Sequence, residues 1–398
     1  MALLGPDGKP LSSRSPAASK RIVGGENPDL ARFLQERGFD PRGLDTTDSG
    51  LVTFTEKVDG MPSKMAPAIE REGEDTTRYL VISDIAGENN FIRFLPNLLR
   101  KVGYDAVICL GSLGYDDVEI STLLHTLGTN TGNKPVYLTP GKTESMEAWQ
   151  YAFDKSRNDF GNLFDMVAHF PKVRLGEHNL IMIPGAMRSQ SHRGGYLVMS
   201  NYEHTFTSEE HNVRVISLAE HLSVADGIDS KKLIVFCYDV PRFGSLEEPN
   251  SNDSNIEKKL LKSAVDKRDV AYITKKGTTK REGPYPREYG KQMEQSGHDV
   301  EYVFENLGDV ELARNLGWKR PSLTVVSGNR DMGHRSCDYD GNEVDEDSWA
   351  PKRVYCSARH GDFGTGQVSL IEVKDTQENG GEGIVSRVST KNLINYWR

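Results

Sequence analysis

Cysteine is scarce: four in 398 residues, at 109, 237, 337 and 356, with no Cys-x-x-Cys pair. That excludes a disulfide-stapled secreted scaffold and a thiolate zinc ribbon. It points to a reducing compartment, and a cytoplasmic location is expected. Cys109 and Cys237 lie inside the apolar runs "DAVICLG" and "LIVFCYD", where a thiol serves as a small core residue. Long hydrophobic runs are missing too: none approaches the length that spans a bilayer, so no membrane partner is expected. The opening "MALLGPDGKPLSSRSPAASK" lacks the basic start and long apolar centre of a secretory leader. Positive charge is not in excess. Lys and Arg number 49 against 58 Asp and Glu, for a net charge of −9. This argues against a general nucleic-acid coat, while leaving room for a local basic patch. What is present, 36% hydrophobic and 27% charged residues, suits a globular chain long enough to bury a large core.

Residues 1–76 are poor in aliphatics and rich in Gly, Pro, Ser and charge. They read as an extended arm with one short helix near "PDLARFLQERG" (28–38), too polar to form a core of its own. From Tyr79 the pattern changes to apolar runs alternating with amphipathic ones. "YLVISDI" (79–85), "DAVICLGSLG" (105–114) and "KPVYLTPGK" (134–142) are expected strands. "NFIRFLPNLLRKVG" (90–103) and "VEISTLLHTLG" (118–128) are the helices between them. "HNLIMIPGA" (178–186), "KKLIVFCYDV" (231–240), "PSLTVVSGN" (321–329) and "RVYCSARHGDFGTGQVSLIEV" (353–373) continue the strand series. Such alternation implies βαβ units and mostly parallel, doubly covered strands. The body of the protein is thus expected over 77–375, followed by a polar tail over 376–398 that ends in "NLINYWR".

Residues 243–304 interrupt this body with polar, highly charged sequence, including "KKGTTKREGPYPREYGK". The plain reading is a solvated insertion between two core strands. The sharper one is a docking arm for an acidic partner or for RNA phosphates. Its candidate contacts are Lys275, Lys276, Lys280, Arg281 and Arg287, with Tyr285 and Tyr289 available for stacking.

Three short motifs lead nowhere. "RIVGG" (21–25) looks like the activation site of a trypsin-like protease, but no Gly-Asp-Ser-Gly follows. "PGKTE" (140–144) ends like a Walker A loop, yet Val136 stands where its first glycine belongs. "GTGQ" (364–367) reads as a hairpin turn.

The polar residues that matter sit at the ends of the strands, where open α/β sheets build their sites. They are "SDIAG" (83–87), "LGSLG" (110–114), "TPGKTE" (139–144), "FCYDVP" (236–241) and "SGNRD" (327–331). This series resembles the calcineurin-like metallophosphoesterase family, which carries Asp-x-His, Gly-Asp, Gly-Asn-His, a lone His and Gly-His-x-His in that order. The resemblance runs from about Tyr79 to Val373. It implies a four-layer α/β sandwich with an N-terminal arm and a charged insertion. In that family two metal ions about 3.5–4 Å apart clamp the phosphate and activate water.

Carried across residue by residue, the ligands mostly vanish. Asp84 matches the first Asp. Ala86 stands for the first His and Ser112 for the bridging Asp. Lys142 and Thr143 replace the Asn-His pair, Tyr238 the lone His, and Asn329 and Asp331 the last two histidines. Disturbing one outer-shell partner alone costs about 10–100-fold in metal affinity or activity. The resemblance therefore implies the fold without the catalyst: no metal, no cofactor, no catalytic residue. Lys142 is expected to reach Asp84 or Asp331 and to neutralise what is left of the acidic centre. The expected function is an inactive phosphoesterase-like subunit of a larger assembly, joined to a protein partner or to further copies of itself. An active phosphoesterase or nuclease with a rebuilt metal site (Asp84, Asp331, His334, His360) is one alternative, for which the spacing gives no support. A ribosome- or nucleic-acid-associated factor is the other.

Overall fold

The computed structural model describes residues 21–23, 51–53, 76–156, 158–167, 172–175, 178–187, 194–200, 202–209, 211–241, 267–306, 308–327, 335–339, 342–356, 367–378 and 381–396. Two six-stranded sheets form the centre. In the first, Thr76–Ile82, Ala106–Leu110, Val136–Thr139 and Leu163–Asp165 run parallel, and Gln367–Glu378 and Gly381–Asn392 add antiparallel beyond Thr76–Ile82. In the second, His178–Ile183, Leu233–Cys237, Leu323–Val326 and Arg353–Cys356 run parallel. It is flanked antiparallel by Lys172–Leu175 and Arg335–Cys337.

Alternation along the strands explains the layering, because successive side chains leave opposite faces of a sheet. Tyr79 and Val81 enter the core between the sheets, together with Ile108, Tyr137, Leu180, Met182, Ile234, Phe236, Leu323 and Val325. Leu80 and Ile82 face the other way, under Phe91, Leu95, Leu123, Leu127 and Trp149 of the helices Asn89–Lys101, Asp117–Asn130 and Met146–Ser156. The second sheet repeats this. Ile181, Val235 and Val326 pack under Leu218, Leu222, Leu312 and Leu316 of Leu218–Ser223 and Val310–Lys319. The result is a four-layer α/β sandwich. Pro96 is accommodated inside the first helix, where the Arg100 Nε donates to the Pro96 carbonyl.

Three regions differ from what the sequence suggested. First, the boundary at 376 cuts a strand, because 367–378 and 381–392 form one long hairpin. Ile384 and Val388 from the supposed tail enter the core between the sheets, and "GEGIVSRVSTKN" hides that role by having polar residues on its other face. Second, residues 267–306, which run two residues past the end expected for the charged insertion, form a ββαβ unit. Lys267–Thr274 lies between Arg281–Pro286 and Asp299–Asn306, both antiparallel to it. The helix Arg287–Gln295 presses onto this sheet so closely that a Cβ on Gly290 would stand 2.4 Å from the Ala271 Cβ. Third, in the N-terminal stretch Arg21–Val23 pairs with Leu51–Thr53, which pairs with Phe206–Ser208. These add to a smaller sheet with Val213–Ser217 and Gly195–Met199, two strands the sequence reading passed over. The helix expected over 28–38 and the turn over 364–367 include residues outside those described. Among the described residues no helix is long and apolar enough to cross a membrane.

Candidate functional site

The carboxyl ends of the parallel strands of both sheets meet along one crevice. Two hydroxyl pairs close it. Ser112 Oγ, after Ala106–Leu110, donates to Tyr238 Oη, after Leu233–Cys237, at 2.8 Å. Ser327 Oγ, after Leu323–Val326, donates to Ser83 Oγ, after Thr76–Ile82, at 2.9 Å. The Gly185 N–H adds a third link, to the Pro140 carbonyl at 2.8 Å. Ser112, Tyr238, Ser83 and Ser327 are all buried.

The turns holding these residues are tight and left-handed. Asp84 has φ 54°, Ser112 φ 49° and Gly111 φ 68°. An L-residue enters this region at a cost that neighbouring structure must offset, and such positions gather at sites. The offset is visible here. The Asp84 N–H donates to the Gly111 carbonyl at 3.0 Å, and the Ile85 and Ala86 N–H groups share the Ser112 carbonyl at 2.7 and 2.8 Å. Gly111 and Gly141 touch backbone to backbone. A Cβ on Gly111 would lie 2.4 Å from the Gly141 Cα, and one on Gly141 would lie 2.7 Å from Cδ2 of Tyr238. The Tyr238 ring is thus packed onto the turns rather than hung over an open cleft.

Glu144 is the residue that sequence reasoning missed. It is fully buried. Its Oε1 accepts the Leu113 N–H in a very short bond, and its Oε2 accepts the Gly141 N–H at 2.8 Å. One carboxylate thereby fastens the turn after Ala106–Leu110 to the turn after Val136–Thr139. Burial pushes its pKa up, while N–H groups of Leu113, Gly141, Glu144 and Ser112 pull it back. The signal lay inside "PGKTE", an acid three residues after a turn glycine, but a surface carboxylate would have read the same way.

Tyr238 is held neutral. Burial raises its phenol well above the ordinary tyrosine range, the charge of Asp84 adds to this, and the Ser112 bond opposes it. Lys142, half-buried, lies with Nζ 5.9 Å from the centre of the Tyr238 ring, within cation–π reach. Ala86 is buried, and its side chain supplies no ligand atom. Thr143 Oγ1 is buried, without a hydrogen-bond partner among the described residues. Asp84, Ala86, Ser112, Lys142, Thr143 and Tyr238 therefore all sit at the strand-end turns that line this crevice. Asn329, Asp331, His334 and His360 lie outside the described residues.

A two-metal clamp needs several carboxylates or imidazoles around each ion. Among the described residues no three His, Cys, Asp or Glu side chains gather closely enough to hold one. The six positions that the resemblance compares and the structure describes hold one carboxylate (Asp84), one lysine, the hydroxyls of Ser112, Thr143 and Tyr238, and one alanine, while the nearby Glu144 carboxylate is taken up by the backbone N–H groups of Leu113 and Gly141. A neutral phenol bonded to a serine is a poor ligand, and a lysine beside it opposes a divalent charge. The described residues do not fit the dinuclear centre.

No family model matches the chain, and no curated protein matches it. Among solved structures, TT1561 of Thermus thermophilus is similar at 14% identity with a TM-score of 0.43, over 80% of this chain and 99% of that one. Purple acid phosphatase PPD1 from yellow lupin (Lupinus luteus) seeds is similar at 9% identity with a TM-score of 0.35, over 82% of this chain and 56% of that one. Likeness of this degree says nothing about chemistry, and the sandwich stands on its own sheet order and layering.

Proposed function

We propose that the chain is a phosphoesterase-like sandwich without phosphoesterase chemistry, serving as an interaction subunit of a protein assembly. The observation that carries this reading is the Ser112–Tyr238 hydrogen bond, 2.8 Å long and buried. It joins the two positions where the family resemblance puts a bridging Asp and a metal-binding His. A serine and a neutral tyrosine paired in this way supply neither the carboxylate nor the imidazole that the dinuclear chemistry uses at these two places. Function in a fold of this kind resides in its site, and the buried hydroxyl pairs and the Glu144 tie support a packing role for the described part of it. The polar exterior, the N-terminal segment and the folded ββαβ unit are left as surfaces for partners.

The test is elemental analysis of the full chain after loading with Mn²⁺ or Zn²⁺ and exhaustive dialysis, run beside hydrolysis of bis(p-nitrophenyl) phosphate. Far less than one ion per chain and no turnover are expected. Two ions per chain, with turnover lost on Asp84→Ala, would refute the proposal.

A further inference from the structure

Trp318 is the most exposed large hydrophobic side chain among the described residues, at 85%. It stands in the last turn of the helix Val310–Lys319, which ends at Arg320 and leads into the strand Leu323–Val326. A Cβ on the neighbouring Gly317 would meet nothing within 4 Å, so the surface there is open. One exposed hydrophobic residue is ordinary. The surroundings of this one are not. Three segments far apart in sequence meet beside it, at the end of the second sheet opposite the crevice. Ser322 fastens them. Its N–H donates to the Ser230 and Leu233 carbonyls at 3.1 and 2.9 Å, and its Oγ to the Lys231 carbonyl at 2.8 Å. Its own carbonyl accepts the Arg353 N–H at 3.1 Å.

These ties bring Lys231, Arg320 and Lys352 to one end surface, all three exposed. Among the described residues none of the three has an ion-pair partner. The nearby Lys319 does: it is paired with Asp226. Asp229 is engaged as well, accepting the Lys231 N–H at 2.9 Å. The backbone adds an independent sign. Arg320 has φ 43° and Lys352 φ 51°. An L-residue is strained in this region, and glycine is the ordinary choice there, above all just past a helix. Two basic residues held in that conformation on one surface point to a use for their side chains outside the fold.

We infer that this end of the sandwich docks a short acidic segment of a partner protein, with carboxylates against Lys231, Arg320 and Lys352 and one apolar side chain packed on Trp318. Unpaired cations select an anionic partner by charge complementarity. The ring supplies the apolar anchor, and Trp and Arg are residues on which binding energy concentrates. The net charge of −9 limits the partner's extent. A bilayer or a long polynucleotide reaching this end would also lie along the acidic remainder of the chain. One ring and three cations also fall short of the two signals that stable membrane anchoring takes. A short segment touches the basic end alone. The inference rests on the interaction-subunit reading for its purpose, yet does not require the crevice to be inactive.

The experiment uses the full chain and a fluorescein-labelled peptide of Asp and Glu around a central Phe, read by anisotropy. A twin peptide has Ser at its centre. Binding of the Phe peptide is expected, weakened at least about tenfold by the central Ser and by Trp318→Ser. Arg320→Gly/Lys352→Gly removes two charges and suits both turns. It should unfold at no lower temperature than the wild type, and yet weaken the peptide by at least about tenfold. No binding, binding that neither variant weakens, or a glycine variant less stable than the wild type overturns the inference. So does equal or tighter binding of oligouridine or of phosphatidylserine vesicles that the glycine variant abolishes, which would make the occupant a nucleic acid or a membrane. A sedimenting dimer that dissolves on Trp318→Ser also overturns it, by making the occupant a second copy. Metal content is measured on the same preparation. A metal-free chain that ignores the peptide sinks the docking end and spares the inactive sandwich; a metal-loaded chain that binds it does the reverse.

Discussion

Ser112 and Tyr238 are 126 residues apart in sequence and 2.8 Å apart in space, hydroxyl to hydroxyl, where the two sheets meet. Removing one partner leaves a buried hydroxyl exposed to nothing that satisfies it, at a cost of about 1–3 kcal/mol. Tyr238→Phe and Ser112→Ala are each expected to destabilise the chain by that order. The double variant should cost less than the sum, because it leaves neither orphan; groups in direct contact couple by roughly 0.5–3 kcal/mol. Urea unfolding of the four proteins measures this. Strict additivity would mean that the bond contributes nothing to closing the crevice.

Glu144 should give the crevice a pH dependence with a definite sign. Its folded pKa is raised, with burial as the cause. A group of this kind contributes stability that is fully present below its unfolded pKa, about 4.3 for glutamate. That contribution is lost as pH rises through the higher folded value. Between pH 4 and 7 the wild type should therefore lose stability relative to Glu144→Gln, and the difference should flatten above the folded pKa. The glutamine is not a neutral replacement, since its NH₂ would face the N–H of Leu113 or Gly141. It should be less stable at pH 4 even while its pH profile is flatter. An opposite slope would show that the backbone donors outweigh burial.

The two glycines at the turns give a steric prediction. Gly141→Ala would bring a methyl group to 2.7 Å from the Tyr238 ring and 2.8 Å from the Ser112 nitrogen. Overpacking of that kind costs about 1–3 kcal/mol. Gly111→Ala meets backbone at 2.4 Å and also demands φ near 68° from an L-residue, so it should cost more. Thermal unfolding of the two variants ranks them. If Gly141→Ala were the worse, the Tyr238 ring, rather than the backbone contact, would be the rigid wall.

How much of this was legible in the sequence follows from the kind of signal each part leaves. Residues 79–82 of the first strand and Leu233–Cys237 are covered on both faces and read as continuous apolar runs, so the parallel strands were visible. The strand Gly381–Asn392 was not, because its three aliphatic residues, Ile384, Val385 and Val388, are spread among Gly, Ser, Thr and charged residues. The ββαβ unit was hidden for a related reason: its small core uses Ala271, Ile273 and Gly290 rather than a run of large aliphatics. At the crevice, the positions of Asp84, Ala86, Ser112 and Tyr238 could be read from strand ends. The Ser112–Tyr238 bond and the Glu144 tie could not, because each joins segments whose approach is set by tertiary packing.

The charged segment carries the sequence expectation of RNA binding, and nucleic acid binding tests it. Over 267–306 there are eight Lys and Arg against seven Asp and Glu, which leaves little net charge to displace counterions. Several of these charges are engaged within the unit. Lys275 pairs with Glu282 at 3.0 Å and Arg281 with Glu301 at 2.9 Å. The Arg287 guanidinium lies over the Tyr302 ring at 5.5 Å, and Tyr285 and Tyr289 pack on each other with centroids 5.1 Å apart. Tyrosines packed against each other are less free to take bases between them. Lys276 and Lys280 are exposed on the turn between the first two strands, and two charges make a weak footprint. The full chain should therefore bind a fluorescent oligouridine only weakly at physiological salt. The log–log slope of affinity against salt should be no steeper than about −1.4, given roughly −0.7 per neutralised phosphate on a single strand. Lys276→Ala/Lys280→Ala should remove even that. A slope several times steeper, abolished by reversing Lys275, Lys276, Lys280, Arg281 and Arg287, would make this turn an RNA-binding surface.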